Sequence, residues 1–195
     1  VEKKGAKEIT RAYSIASPRD GNRFALCLNR VPNGLVSPQL FELKPGDEVE
    51  FSEPLGYFTL RHPGHRAVFV ATGTGIAPFR SMLLDHLPRT HPHVTLLFGV
   101  RYPEGLLYRE EFEKVAEQYP NFKFMPTVTR PDNSWAGRTG RVQAHLDEAL
   151  GLRTPDELET VEVYICGLQA MVDEVRAELK RKGLGRKQII YEKYD

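Results

Sequence analysis

The sequence predicts a two-domain chain, α+β in its first third and α/β with a parallel sheet beyond, and three observations carry that reading. After residue 65, apolar runs at Ala67–Ala71, Val94–Val100, Phe122–Val128 and Val161–Cys166 alternate with amphipathic patterns at Ala77–His86, Arg109–Tyr119, Gln143–Leu150 and Gln169–Lys182. Strand–helix alternation of this kind is the signature of a parallel sheet covered by helices on both faces. Before residue 65 the apolar segments are short and divided by turn residues, which reads as β-structure without crossover helices. Between the two, His62-Pro63-Gly64-His65-Arg66 punctuates the chain, so the expected domains are 1–64 and 65–195.

In order, Ile9–Ala16, Arg23–Asn29, Glu48–Ser52 and Leu55–Leu60 are the expected early strands, with turns at Ser17–Asn22, Pro32–Gly34 and Lys44–Asp47. A short helical turn is expected at Pro38–Glu42. In the second part, Gly151 and Gly183 stand where glycines end helices. Thr154-Pro155-Asp156-Glu157 has the pattern of a capped helix start, with proline at the first helical position. Ile189–Tyr191 reads as the last strand.

Composition narrows the function classes. With 27 basic and 26 acidic residues the formal charge is +1, which argues against a general binder of nucleic acid. Cys27 and Cys166 are too few for a disulfide scaffold and lack metal-ligand spacing, so neither a zinc nor an iron–sulfur site is expected. A reducing, cytoplasmic setting is the matching expectation. No run is long and apolar enough for a membrane helix. The chain starts at Val1 without a methionine, and further sequence upstream is expected.

Ala71-Thr72-Gly73-Thr74-Gly75-Ile76-Ala77-Pro78 follows an apolar strand and opens a helix. Glycines let a backbone turn sharply and approach a ligand closely. The free N–H groups of a helix start attract a pyrophosphate, and Pro78 costs nothing at an early helical position. The third glycine of the G-x-G-x-x-G fingerprint is replaced by proline. Taken alone, the turn also fits a tight strand–helix connection that holds no ligand.

Four segments, in order, resemble the ferredoxin–NADP reductase superfamily: Arg11-Ala12-Tyr13-Ser14, the Gly73–Pro78 turn, Val163-Tyr164-Ile165-Cys166-Gly167-Leu168, and Glu192-Lys193-Tyr194. The resemblance runs over nearly the whole chain. It implies an antiparallel β-barrel flavin domain, here partial, followed by the parallel α/β nucleotide-binding domain. It further implies FAD and NADP(H) as cofactors, NAD(H) being the less favoured nucleotide, and ferredoxin or flavodoxin as electron partner.

The resemblance also implies residue roles. Arg11 neutralises the flavin pyrophosphate, Tyr13 packs beside the flavin, and Ser14 offers its hydroxyl near the flavin nitrogen that receives hydride. Strand alternation puts Ser14 on the face opposite Arg11 and Tyr13, so the backbone must bend for all three to serve one ligand. Gly34 and Ser37, in Gly34-Leu35-Val36-Ser37, correspond to a second flavin-phosphate turn. Thr72, Gly73, Thr74, Gly75 and Pro78 cradle the nucleotide. Cys166 and Gly167 end a strand against the nicotinamide, with the cysteine positioning it. Glu192 supports proton balance, and Tyr194 stacks on the flavin until nicotinamide displaces it. Asp195 follows that ring, an addition to the family's usual ending.

The ribose 2′-phosphate of NADP seeks positive charge. Arg101 and Arg130 follow the second and third strands of the second domain, and Arg141 with nearby Arg138 matches another family position on that pocket. Lys180–Lys187 could dock an acidic carrier, although cations at a helix C-terminus are also favoured by the dipole. The histidines, including His91-Pro92-His93, fit no standard zinc spacing. In the family the Arg-x-Tyr-Ser segment normally lies mid-barrel, so about half the barrel is expected outside this sequence. Alternatives are an oxygenase reductase with an iron–sulfur partner, or a redox-silent nucleotide-binding module.

Overall fold

The computed structural model describes residues 2–4, 7–87, 93–151 and 155–194. The capping residue Thr154, the pair His91-Pro92 and Asp195 lie outside the described residues.

From residue 67 onward the expected alternation is found. A six-stranded parallel sheet contains β3 (Ala67–Thr72), β4 (Val94–Val100), β5 (Phe122–Val128), β6 (Arg138–Thr139), β7 (Glu162–Leu168) and β8 (Ile189–Tyr194), in the order β6-β5-β4-β3-β7-β8. All five pairings are parallel. The strands of the middle read as apolar runs because both faces are covered: every residue of β4 is buried.

Helices α2 (Ile76–His86) and α3 (Arg109–Gln118) cover one face. There Ile76, Phe79 and Leu83, with Phe112 and Val115, meet Phe69, Leu96 and Tyr164 of the strands. On the other face α4 (Leu146–Leu150) and α6 (Gln169–Arg181) bring Leu146, Leu150, Val172, Val175 and Leu179 against Val68, Leu97 and Ile165. The helix α5 (Pro155–Thr160) leads into β7. Gly151 closes α4 in a left-handed conformation with φ 52°, as a helix-ending glycine should.

The chain builds outward from β3 to β6, then crosses back to place β7 on the other side of β3. The crevice between the carboxyl ends of β3 and β7 is therefore the topological switch point, where open α/β sheets bind ligands.

The first third departs from the expected strands. A hairpin pairs β1 (Glu2–Lys4) with β2 (Lys7–Ile9), and α1 (Ser37–Glu42) provides the expected helical turn. Ile9–Ala16 and Arg23–Asn29 meet at the isolated bridge Ile15 to Leu26 and the Ala16 N–H bond to Ala25 O, and the turn between them closes at Asp20 to Arg23. Glu48–Ser52 and Leu55–Leu60 form no strand. Their side chains are mixed in burial: Phe51, Leu55 and Tyr57 are exposed, the last by 93 %, while Phe58 and Leu60 pack against the core of the parallel sheet.

Candidate active site

The switch point is built from close backbone approach. A Cβ on Gly75 would lie 2.3 Å from the Cys166 carbonyl oxygen, so the turn after β3 rests directly on the end of β7. A Cβ on Gly167 would lie 2.4 Å from Thr72 Oγ1. Gly73 takes φ 54°, a left-handed conformation, with open space around its missing side chain. Thr72 Oγ1 is buried and has no hydrogen-bond partner among the described residues. A buried hydroxyl left unpaired at a ligand crevice is a polar group waiting for an acceptor or donor. Gly73, Thr74, Gly75 and Pro78 all belong to this turn, Pro78 within the first turn of α2.

Beside the crevice four of the expected residues come together across the whole length of the chain. The register of β7 with β8 sets Glu192 opposite Cys166 and Tyr194 opposite Leu168. From the first third, Ser14 reaches this edge: the Tyr194 hydroxyl donates to Ser14 Oγ at 2.7 Å, and Ser14 Oγ donates to Glu192 Oε1 at 2.9 Å. The Cys166 thiol also interacts with the Tyr194 hydroxyl. Burial, with a smaller push from Glu192, drives the Cys166 thiol up to about 12. A thiol held neutral in this way is a poor nucleophile and a good packing surface. Burial likewise raises the Tyr194 phenol, so it stays a donor.

Ser14 is held by its successors. Ala16 is fully buried, its N–H bonds to Ala25 O at 2.8 Å, and its carbonyl accepts from Arg80 Nη1 at 2.7 Å. Arg80, on α2, is itself gripped by both carboxylate oxygens of Glu111 at 2.6 and 2.7 Å and stacks over Tyr108. Burial pushes the Tyr108 phenol up to about 12, and its side chain bonds to Cys27. Sequence reasoning missed this clamp. Arg80 sits in an otherwise apolar helix pattern, and nothing local marks its partners 31 and 64 residues away.

Other expected residues stand apart from this cluster. Arg11 is exposed and donates to Thr10 O at 2.8 Å, while Tyr13 is half-buried. The Ser37 hydroxyl is buried and accepts from Val31 N at 3.0 Å, and the tight turn at Gly34 leaves a Cβ only 3.1 Å from it. At the strand ends, Arg130 N–H bonds to Arg101 O at 2.8 Å, which draws the ends of β4 and β5 together. The Arg130 guanidinium donates to Tyr102 OH at 3.3 Å, and no side-chain partner of Arg101 is found among the described residues. Arg141 is exposed and lies 3.8 Å from Glu174. Nearby Arg138 is committed to Glu148 by two hydrogen bonds.

On this geometry the site defines a nucleotide-binding parallel α/β unit with a hydroxyl–carboxylate–thiol cluster at its switch point. Residues 69–177 match the family described as oxidoreductase NAD-binding domain, and residues 1–60 match that described as oxidoreductase FAD-binding domain. The chain is 44% identical over 195 residues to ferredoxin–NADP reductase B of Sorangium cellulosum, covering 96% of this chain and 79% of that protein. It is 32% identical over 190 residues to the electron transfer component of the toluate 1,2-dioxygenase of Pseudomonas putida, covering 95% of this chain but 54% of that one. Over 200 residues it is 33% identical to one component of the Na(+)-translocating NADH-quinone reductase of Neisseria gonorrhoeae, again 95% of this chain but 49% of that one. A crystal structure of a ferredoxin NADP+ reductase from Neisseria gonorrhoeae, with bound FAD and NADP, superposes with a TM-score of 0.80 at 26% identity. The match covers 98% of this chain and 82% of that one. The chain belongs to the ferredoxin–NADP reductase superfamily of NAD(P)H-dependent flavoprotein oxidoreductases.

The residues present fit both cofactors of that family. The Thr72 hydroxyl, without a partner among the described residues, and the open space beside Gly73 suit a nucleotide, and the Ser14 hydroxyl at the sheet edge suits a flavin. No helix among the described residues is long and apolar enough to cross a membrane.

Proposed function

We propose that this chain is the nicotinamide-binding domain (65–195) and part of the flavin-binding domain (1–64) of a cytoplasmic ferredoxin (flavodoxin)–NADP reductase. The observation that carries the reading is the hydrogen-bond chain Tyr194–Ser14–Glu192 beside Cys166, which joins residues 14 and 194 at the switch point. When bound, nicotinamide and flavin would supply hydride transfer and single-electron delivery to a small carrier protein.

The chain's own residues orient and exclude. Arg11, with Gly34 and Ser37, holds the flavin phosphates, and Tyr13 lies along the flavin. Gly73–Pro78 and the Thr72 hydroxyl hold the nucleotide, while Arg101, Arg130 and Arg141 take the ribose phosphate. Tyr194 covers the reacting face until nicotinamide enters, Cys166 and Gly167 set the depth of the ring, and Ser14 with Glu192 keeps a proton-donating hydroxyl at the reacting edge. The likeness to a component of an NADH-quinone reductase favours a second reading, in which NADH is the donor.

The test is an anaerobic titration of the FAD-loaded protein, followed by its flavin absorption. Bleaching by NADPH at lower concentration than by NADH, with electrons passed on to ferredoxin or flavodoxin, is the expected result. Equal or better reduction by NADH overturns the arginine assignment, and a flavin that stays oxidised with both overturns the reductase reading.

A further inference from the structure

At the opposite end of the sheet from Cys166, three side chains that the redox site does not use converge. His62-Pro63-Gly64-His65 is a tight turn closed by the His65 N–H donating to His62 O at 2.9 Å. It sets the two imidazoles side by side, with ring centroids 4.7 Å apart and planes 25° from parallel. The third group is Glu162, the first residue of β7. Its N–H bonds to Arg66 O at 2.9 Å, and its side chain is only 6 % exposed.

The Glu162 carboxylate is aimed. Oε2 accepts from the Tyr164 hydroxyl at 2.7 Å, and that hydroxyl in turn accepts from the Arg61 N–H at 2.9 Å. The other oxygen, Oε1, faces His62 Nδ1 at 2.5 Å. One donor atom from each of His62, His65 and Glu162 lies within 4.8 Å of the others. Burying a carboxylate is costly unless a cation or strong donors compensate it.

We propose that His62, His65 and Glu162 bind a divalent transition-metal ion, zinc by its chemistry. Two imidazole nitrogens and a carboxylate oxygen are a donor set zinc accepts at about 2.0–2.2 Å in a tetrahedral arrangement. Donors on such an ion stand roughly 3.3 Å apart, so His62 Nδ1, now 2.5 Å from Glu162 Oε1, must draw back to admit it. The histidine rings can supply that movement, since the His62 side chain is 58 % exposed, whereas Glu162 is fixed by Tyr164. Hydrogen bonding of a ligating carboxylate by an outer partner is usual in such sites. The exposed side of the turn leaves a fourth position for water. Glu162 precedes Cys166 by four strand residues, about 13 Å, so the ion stands clear of the redox site. Its effect is to pin the junction between the two domains to β7.

The experiment uses tag-free, FAD-loaded protein stripped with a chelator and titrated with Zn²⁺ by calorimetry, with Co²⁺ as an optical substitute. One Zn²⁺ per chain is expected, bound at least tenfold more weakly by His62→Ala and by His65→Ala. Zinc should raise the melting temperature of the native protein but not of His65→Ala, which keeps the Glu162–His62 contact and so tests binding apart from folding. The Co²⁺ spectrum should lack a thiolate charge-transfer band. No zinc uptake, or uptake of equal strength by the His62→Ala/His65→Ala double variant, overturns the proposal.

Discussion

Ser14, Glu192 and Tyr194 share one hydrogen-bond chain, so each one's position depends on the other two. The chemistry of the individual groups sets what they can do. Cys166 is buried and held neutral up to about pH 12, so it should resist alkylation by iodoacetamide at pH 8 in the folded protein and react after denaturation. Mass spectrometry of the labelled peptides checks this; rapid native labelling of Cys166 contradicts a packing role. Glu148 is a second residue-scale case. Hydrogen bonds from Arg138, and then Lys123, lower its carboxyl to about 2 from an ordinary 4.5. A depressed acid contributes stability above its unfolded pKa and loses it as the pH falls toward its folded one. The melting-temperature deficit of Glu148→Gln should therefore be full at pH 6 and shrink between about pH 4.5 and 2. An unchanging deficit across that range contradicts the pairing. That Ser14 meets Glu192 and Tyr194 could be expected only through the resemblance, because nothing in a lone Arg-x-Tyr-Ser says that it meets residues 178 and 180 positions later.

Elements buried on both faces were the most legible. The bounds of β4 follow from its apolar run alone, since a covered parallel strand has no polar face to blur its ends. By contrast β8 runs on to Tyr194, past its expected end at Tyr191, because Glu192 and Lys193 are paired in register with Cys166 and Gly167 although their side chains are polar. The early strands failed for the opposite reason: their pattern is β-like, but among the described residues ladder partners are lacking apart from Ile9 to Glu2, Ile15 to Leu26 and Asp20 to Arg23. The turn after β3 makes the sharpest prediction at this scale. In Gly75→Ala the added Cβ meets backbone atoms of Cys166 and Gly167 at 2.3 to 2.9 Å, and backbone cannot swing aside. Overpacking of this kind costs about 1–3 kcal/mol, so urea unfolding should shift by that amount and nucleotide affinity should fall as well. A native midpoint and native affinity contradict the close packing at the switch point.

Across the whole molecule, the Arg80 clamp ties the segment bearing Ser14 to the helices over the nucleotide sheet. Its guanidinium bridges the Ala16 carbonyl and Glu111, both partly or fully shielded from water. Arg80→Leu keeps helix propensity and apolar packing but frees Ala16. We expect it to retain FAD while slowing flavin reduction by about tenfold or more, since small displacements of reacting groups are costly. Stopped-flow absorption at saturating NADPH reads this directly, and an unchanged rate removes Arg80 from the positioning of the site.

We propose that Ser14 stands at the reacting edge of a hydride-transfer site. Its most direct test is the anaerobic rate of flavin reduction by NADPH in Ser14→Ala compared with the native protein, both loaded with FAD. Loss of the hydroxyl leaves Tyr194 and Glu192 without their shared partner, and the expected slowing is about 10²-fold, with the flavin spectrum before mixing unchanged. Reduction of Ser14→Ala at the native rate would remove Ser14 from the reacting edge.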